Sequence, residues 1–274
     1  GMNASQEKRW LQFCRDYVPV KDSDGRFLLE ARWTDKENER RNLAVIRYGD
    51  TIKRYDLTLF NSIYLNREKG TYSAIWQQYA AVMCALLCNT DAETSQAFMD
   101  TCDFTAEEPI IGMRKIAADG AYLRRAESSN LHILSLVRKE SISAIDAQIW
   151  KAQLQVLFPL LEIERVSFIK RYRKQVQEAL GEKYHDFRTG RSQYIYQFGE
   201  TVSDPDNAEL GTIYRMTKLR RDADAYQYLL YIPDEQSRSR IELLHDLRNS
   251  LAHGNTCAID KVIEFINGHP FDWN

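Results

Sequence analysis

The sequence lacks any apolar stretch long enough to cross a membrane. Its longest, AAVMCALLC at 80–88, is about half of the ~18 residues that a span needs. No signal peptide is recognisable at either end, so a cytoplasmic protein is the expectation. Cysteine is scarce: five residues, at 14, 84, 88, 102 and 257, form an odd and scattered set. No Cys or His pair with ligand spacing completes a zinc site, and the expected state is free buried thiols in a reducing compartment. The glycine-rich phosphate loops GxGxxG and GK[ST] are absent as well, which excludes the common nucleotide-binding fingerprints. No metal or cofactor is therefore expected. Excess charge of one sign is also missing. The formal net charge is −2, and residues 143–274 hold 17 Lys plus Arg against 19 Asp plus Glu. That balance argues against a protein that coats nucleic acid nonspecifically, but leaves room for an enzyme touching a few phosphates.

What is present reads as helix. At 44% hydrophobic and 28% charged the composition is ordinarily globular. A short amphipathic helix is predicted over 7–18, a turn at 22–25, and a strand or helix start over 26–33. Ile52, Tyr55, Leu59, Phe60 and Ile63 recur at helical spacing, and 72–89 is the clearest helix of this half. Asn89-Thr90-Asp91 is expected to end it and open another, through about residue 102. A loop at Glu107-Glu108-Pro109 then leads into one or two helices. From Ser143 the pattern sharpens. A long helix capped by Ser143 is expected to begin at Ala144, kink at Pro159 and stop at Leu180-Gly181. A polar stretch dotted with aromatics (182–203) and the turn SDPDN (203–207) precede a second helix, from Ala208 to about Arg221. IPDE (232–235) opens a third, ending at Gly254, and 258–268 makes a fourth. Two regions follow: 1–142, mostly helical and of uncertain fold, and 143–274, an antiparallel four-helix bundle.

The third of these helices ends in LLHDLRNSLAHGN, residues 243–255. At about 100° per residue, Leu244, Leu247 and Leu251 form one stripe facing the bundle. His245, Asn249 and His253 stand on the opposite side, with Arg248 on the border. These residue types suit metal-free cleavage of RNA. A histidine with a pKa near ~6.5 can take a proton from a ribose 2′-hydroxyl or give one to the leaving 5′-oxygen. An arginine offers a planar fork to a phosphate gaining charge in the transition state, and an asparagine can orient either group. One histidine per chain leaves one proton-transfer role empty; a symmetric dimer pairing this face with its copy would fill it. Spacing alone is weak evidence, since with 24 arginines and five histidines roughly 0.4 Arg-x4-His pairs arise by chance. Two occur, Arg240/His245 and Arg248/His253. Only Arg248 is followed by Asn, and only His253 lies at a helix end before Gly.

Arg-Asn-x-x-x-His on the third helix of a C-terminal bundle resembles the HEPN superfamily (higher eukaryotes and prokaryotes nucleotide-binding domains). The wider match takes in IDAQIWKAQLQVLFPLLEIERVSFIKRY, DPDNAELGTIYRM and IELLHDLRNSLAHGN, about half the chain. The resemblance implies a metal-independent endoribonuclease of toxin–antitoxin, abortive-infection or other defence systems, working as a homodimer whose paired motifs form the cleft. It implies Arg248 and His253 as the catalytic pair and Asn249 as their polar companion. It also implies an alternative: members without activity serve as modules that bind a nucleotide or a partner protein, such as a nucleotidyltransferase antitoxin.

Other residues carry weaker signals. His245 is a candidate for lining the cleft, although a surface role is the commoner one for such a histidine. Arg215, Lys218, Arg220 and Arg221 form a local basic cluster able to hold RNA phosphates, or simply a solvated face. Glu162 and Glu164 flank Arg165 with the spacing of helical ion pairs, a simpler reading than paired acid–base carboxylates. The tyrosines of SQYIYQF (192–198) can stack on bases; packing over the bundle is the preferred expectation.

Overall fold

The computed structural model describes residues 53–119 and 132–271, with a few positions near the start. The segments expected at 22–25 and 26–33, most of the helix at 7–18, Cys14, Ile52 and the stretch 120–131 lie outside the described residues. Within them the protein is mainly α-helical. The helices are α1 (Arg54–Glu68), α2 (Ala74–Cys88), α3 (Ala92–Thr101), α4 (Pro109–Ala118), α5 (Ile133–Arg138), α6 (Ile142–Arg171), α7 (Arg173–Gly181), α8 (Leu210–Lys218), α9 (Glu235–Ala252) and α10 (Ile259–Asn267). Two small antiparallel hairpins stand between α7 and α8: β1 (Tyr184–Asp186) with β2 (Arg191–Gln193), and β3 (Tyr196–Gln197) with β4 (Glu200–Thr201). No described helix is long and apolar enough to cross a membrane.

The apolar run at 80–88 becomes the centre of the molecule. Every residue of α2 from Tyr79 to Cys88 is buried, and the helix packs between α1 and α6. Polar groups at this depth are paired, as the cost of burying them alone requires. Asn61 of α1 donates to the Ala81 carbonyl at 3.0 Å and accepts the Ser95 hydroxyl at 2.8 Å, tying α1, α2 and α3 together. Asp91 caps α3 by accepting the Thr94 N–H, as the turn residues there predict, whereas Pro109, expected in the loop, is the first residue of α4. The spacing that signals α1 identifies the helix but not its inner face. Tyr55, Leu59, Phe60 and Ile63 are exposed, while Leu57, Asn61 and Leu65 are buried.

The core runs without a break across residue 142. The Trp76 indole donates to Asn267 Oδ1 (2.8 Å), the Gln153 amide to the Tyr79 hydroxyl (3.3 Å), and the Ile259 N–H to Glu108 Oε1 (2.9 Å). The long helix begins at Ile142 rather than Ala144, and Ser143 lies in its first turn, not at its cap. It continues through Pro159 as one helix. It ends at Tyr172, short of Leu180, where the chain turns before α7 and the phenol donates to the buried Ser237 hydroxyl (2.8 Å). The second C-terminal helix is shorter than expected, 210–218: Asp204 and Pro205 form a separate 3₁₀ turn (Pro205–Asn207) before it, and the backbone becomes extended at Leu219. Pro233 stays outside the third helix; Asp234 is its cap, accepting the Ser237 N–H at 2.9 Å.

One buried ion pair locks α9 to α6. Arg240 and Glu164 meet two-pronged with side chains 8% and 5% exposed, the Nε–Oε2 bond being 2.8 Å. The same guanidinium donates to the Phe265 carbonyl (3.0 Å) and lies over the Phe265 ring, so it also fastens the end of α10. Each charge here would be costly alone; together, with their remaining donors satisfied, they fix register between three helices.

Candidate functional site

The exposed end of α9 carries the motif. Leu244, Leu247 and Leu251 are buried, as the periodicity predicts, whereas Asn249 and His253 are exposed and Arg248 is half-buried. His253 is the C-cap, its N–H bonded to the Asn249 carbonyl at 3.1 Å. Gly254 follows at φ +77, a left-handed conformation that costs a side-chain-bearing residue energy. Its N–H reaches the Leu251 carbonyl (3.2 Å) while the Asn255 N–H reaches the Ser250 carbonyl (2.9 Å). These two bonds make a Schellman cap, which satisfies the helix's last carbonyls and fixes where the chain leaves.

Two residues of α6 brace this terminus from within. The Trp150 indole donates to the Leu251 carbonyl at 2.8 Å. The buried Gln153 side chain pairs with the Cys257 peptide in both directions, donating to its carbonyl (2.9 Å) and accepting its N–H (2.7 Å). His253 is thus displayed on a rigid frame. Among the described residues its imidazole has no hydrogen-bond or ion-pair partner, and neither has the Asn249 amide.

Arg248 turns toward α8. Its guanidinium pairs with Glu209, the N-cap residue of that helix, at 3.1 Å. The pair borders a cavity of about 240 Å³ whose lining includes Glu162, Arg165, Asp206, Glu209 and Arg248. Arg165 forms the i, i+3 ion pair with Glu162 (2.8 Å) that the sequence suggests and also donates to the Asp206 and Ala208 carbonyls. Within one chain Arg248 and His253 do not bond to each other. The site therefore holds two separate functions, a guanidinium already engaged with a carboxylate and an unengaged imidazole. A guanidinium fork that fits a carboxylate also fits a phosphate.

The candidate substrate-contacting residues are each engaged within the chain. His245 stacks on Tyr214 of α8, ring centroids 4.1 Å apart and planes 13° from parallel. It serves as packing between α8 and α9. Lys218 pairs with Glu242 at 3.3 Å, with its ammonium over the Tyr214 ring. Arg215 bonds the Tyr184 hydroxyl (2.9 Å), and Arg221 pairs with Glu182 (2.9 Å). Arg220 lies 3.6 Å from the centre of the Tyr228 ring. The expectation that the tyrosines of 192–198 pack over the bundle is overturned. From that segment Ile195 is the residue that is buried, while Tyr194, Tyr196 and Phe198 are exposed.

The cysteines offer no rival chemistry. Cys84, Cys88, Cys102 and Cys257 are free and buried, and burial pushes the Cys257 thiol up to about 12, away from the reactive thiolate. Among the described residues no three His, Cys, Asp or Glu side chains are grouped as metal ligands. Sequence reasoning missed Glu209 and Gln153, which have no local signal because their partners lie 39 and 104 residues away. No protein family, curated protein or solved structure matches the chain.

Proposed function

We propose that this protein is a metal-independent endoribonuclease of HEPN type, acting as a homodimer in the cytoplasm in a defence or toxin–antitoxin role. The C-terminal helices α6 to α10 would form its HEPN-like bundle. The observation that carries this reading is the unengaged His253 imidazole, held outward on a braced helix end one turn beyond the exposed Asn249 and the half-buried Arg248.

In this mechanism two copies pair through the exposed side of α9, so that each contributes one histidine and one arginine to a shared cleft. His253 of one protomer takes the 2′-hydroxyl proton. The 2′-oxygen attacks the neighbouring phosphorus, forming the new P–O bond as the bond to the 5′-oxygen breaks. The second protomer's histidine donates a proton to that leaving oxygen. Arg248 exchanges Glu209 for the phosphate and stabilises its developing charge, and Asn249 orients the reacting groups. The products are a 2′,3′-cyclic phosphate and a 5′-hydroxyl; DNA lacks the attacking group and is not cut.

The test is cleavage of a mixed RNA pool in excess EDTA by wild type, Arg248→Ala and His253→Ala. Cleavage by wild type alone, leaving cyclic phosphate ends, is the expected result. Cleavage that survives both substitutions would overturn the reading. A second reading, a non-catalytic module for a nucleotide or a partner such as a nucleotidyltransferase antitoxin, is favoured by one observation: Arg248 is paired with Glu209 and not with His253. RNA left intact at every enzyme concentration, with a small nucleotidyltransferase encoded beside the protein, would support it.

A further inference from the structure

The two hairpins between α7 and α8 display aromatic rings that the core does not use. Phe198 at the tip of β3–β4 is 85% exposed, and its neighbour Tyr196 about half so. Phe198 also has φ +53 and is followed by Gly199 at φ +86, the signature of a type I′ turn. Asn, Asp or Gly fill the first central position of such turns because a bulky side chain is strained there. A phenylalanine that is both strained and solvent-facing contributes nothing to folding that a smaller residue would not do better. An outlier of that kind points to a ligand.

The hairpin is anchored beside the candidate site. Gln197, between the two rings, caps the start of α8 in place of a conventional N-cap side chain. Its Oε1 accepts the Glu209 N–H (3.0 Å) and the Thr212 hydroxyl (2.7 Å), and its Nε2 donates to the Asn207 carbonyl (2.9 Å). Glu209 is the residue whose carboxylate holds Arg248. The ring-bearing tip and the Arg248 guanidinium are therefore fastened to the same helix terminus. The acidic groups nearby are largely spent within the chain: Asp206 pairs with Arg173 (2.7 Å) and Asp204 caps the 3₁₀ turn. Glu200, at the base of the tip, is the exception.

Resting on the ribonuclease reading, we infer that the β3–β4 hairpin is a base-stacking element for an unpaired RNA strand. Phe198, assisted by Tyr196, receives the face of one nucleobase while a backbone phosphate of the same strand lies at Arg248. A tip of this kind reaches the face of a base only when that base is out of a duplex, and stacking tolerates any base identity. The hairpin thus selects strandedness rather than sequence.

The test is fluorescence anisotropy of the full-length protein with a labelled 2′-O-methyl oligoadenylate, which cannot be cleaved, and with a 2′-O-methyl duplex of equal length. Phe198→Asn removes the ring but suits the left-handed backbone; Phe198→Trp keeps a ring. Wild type and Phe198→Trp are expected to bind the single strand in preference to the duplex. Phe198→Asn should bind it roughly ten-fold or more weakly, the loss expected for one base–aromatic stack, while melting no lower than wild type. Equal binding by Phe198→Asn and wild type, a preference for duplex, or no binding by wild type would overturn the inference. The two readings fail separately. If wild type cleaves RNA and Phe198→Asn binds and cleaves equally, the stacking element falls and the ribonuclease stands. If Phe198→Asn loses the probe but wild type never cleaves RNA, the reverse holds.

Discussion

Helix α9 carries the same five-residue spacing twice, and the two copies have opposite fates. Arg240 is buried, bonded to Glu164 and to a carbonyl of α10, and its companion His245 is stacked on Tyr214. Arg248 stands half-buried at the rim of a cavity, and its companion His253 projects free from the helix end. Eight residues separate the copies, a little over two turns, so the two arginines project on sides of the helix about 80° apart. What differs is what faces them: three packed helices, α6, α8 and α10, for the first pair, an open rim and a chain exit for the second. The first pair is built into the packing, whereas the second leaves an imidazole exposed beside a guanidinium held by one carboxylate. Identical spacing on one helix thus carries no function by itself.

The contrast can be tested most severely at Arg240. Arg240→Ala leaves Glu164 charged and buried without a partner and should cost about 3–5 kcal/mol of stability. His253→Ala, at an exposed position, should stay within about 0.5 kcal/mol of wild type. Urea denaturation of both proteins reads the difference; equal midpoints would erase the distinction. A smaller loss, about 1 kcal/mol, is expected for Gly254→Ala, since a side chain is strained at φ +77. Thermal melts measure that loss, and an unchanged melting temperature would mean that the Schellman cap does not secure the helix end. The smallest effect belongs to the Asp246–Lys261 pair (2.6 Å) between α9 and α10, where the bond from the Lys261 ammonium holds the Asp246 carboxyl below its ordinary range. A depressed carboxylate stabilises the fold above its unfolded pKa of ~3.9 and loses that contribution as pH falls through the lower folded value. Because both side chains are about two-fifths exposed, solvent screening limits the gain to a few tenths of a kcal/mol. Lys261→Met should therefore be slightly less stable than wild type at neutral pH and converge with it as pH falls through the lowered folded pKa of Asp246. A gap that persists or widens in acid would assign the effect to packing.

Much of this architecture is legible in the sequence, for reasons that differ by element. The end of α9 is readable because three leucines mark one face and Gly254 marks the stop, both local signals. The helix α2 is readable from its unbroken apolar run. The two hairpins are not, because strands of two and three residues are too short to show alternation. Local sequence likewise places Ser143, not Ser141, at the start of α6, since a serine before an apolar pattern looks the same at either position. The Arg240–Glu164 bond joins residues 76 positions apart, so only the folded chain reveals that the first motif copy is structural. His245 looks free on a helical wheel because the wheel does not show Tyr214 arriving from α8. Phe198 is the reverse case. An aromatic residue is expected to seek the core, and its left-handed backbone at an exposed tip has no signature in composition or periodicity.

The burial of α2 on all sides has a consequence for how the protein is made. Its apolar run is synthesised well before α6, the helix that covers one of its flanks. At ribosomal speeds of about 5–20 residues per second the uncovered surface persists for seconds. During that interval the nascent chain exposes a sticky segment of the kind that chaperones bind. Completion of α6 closes it, and the same helix brings Trp150 and Gln153 to brace the end of α9. The helix that covers this apolar run is therefore also the one that carries the two braces of the frame on which His253 stands.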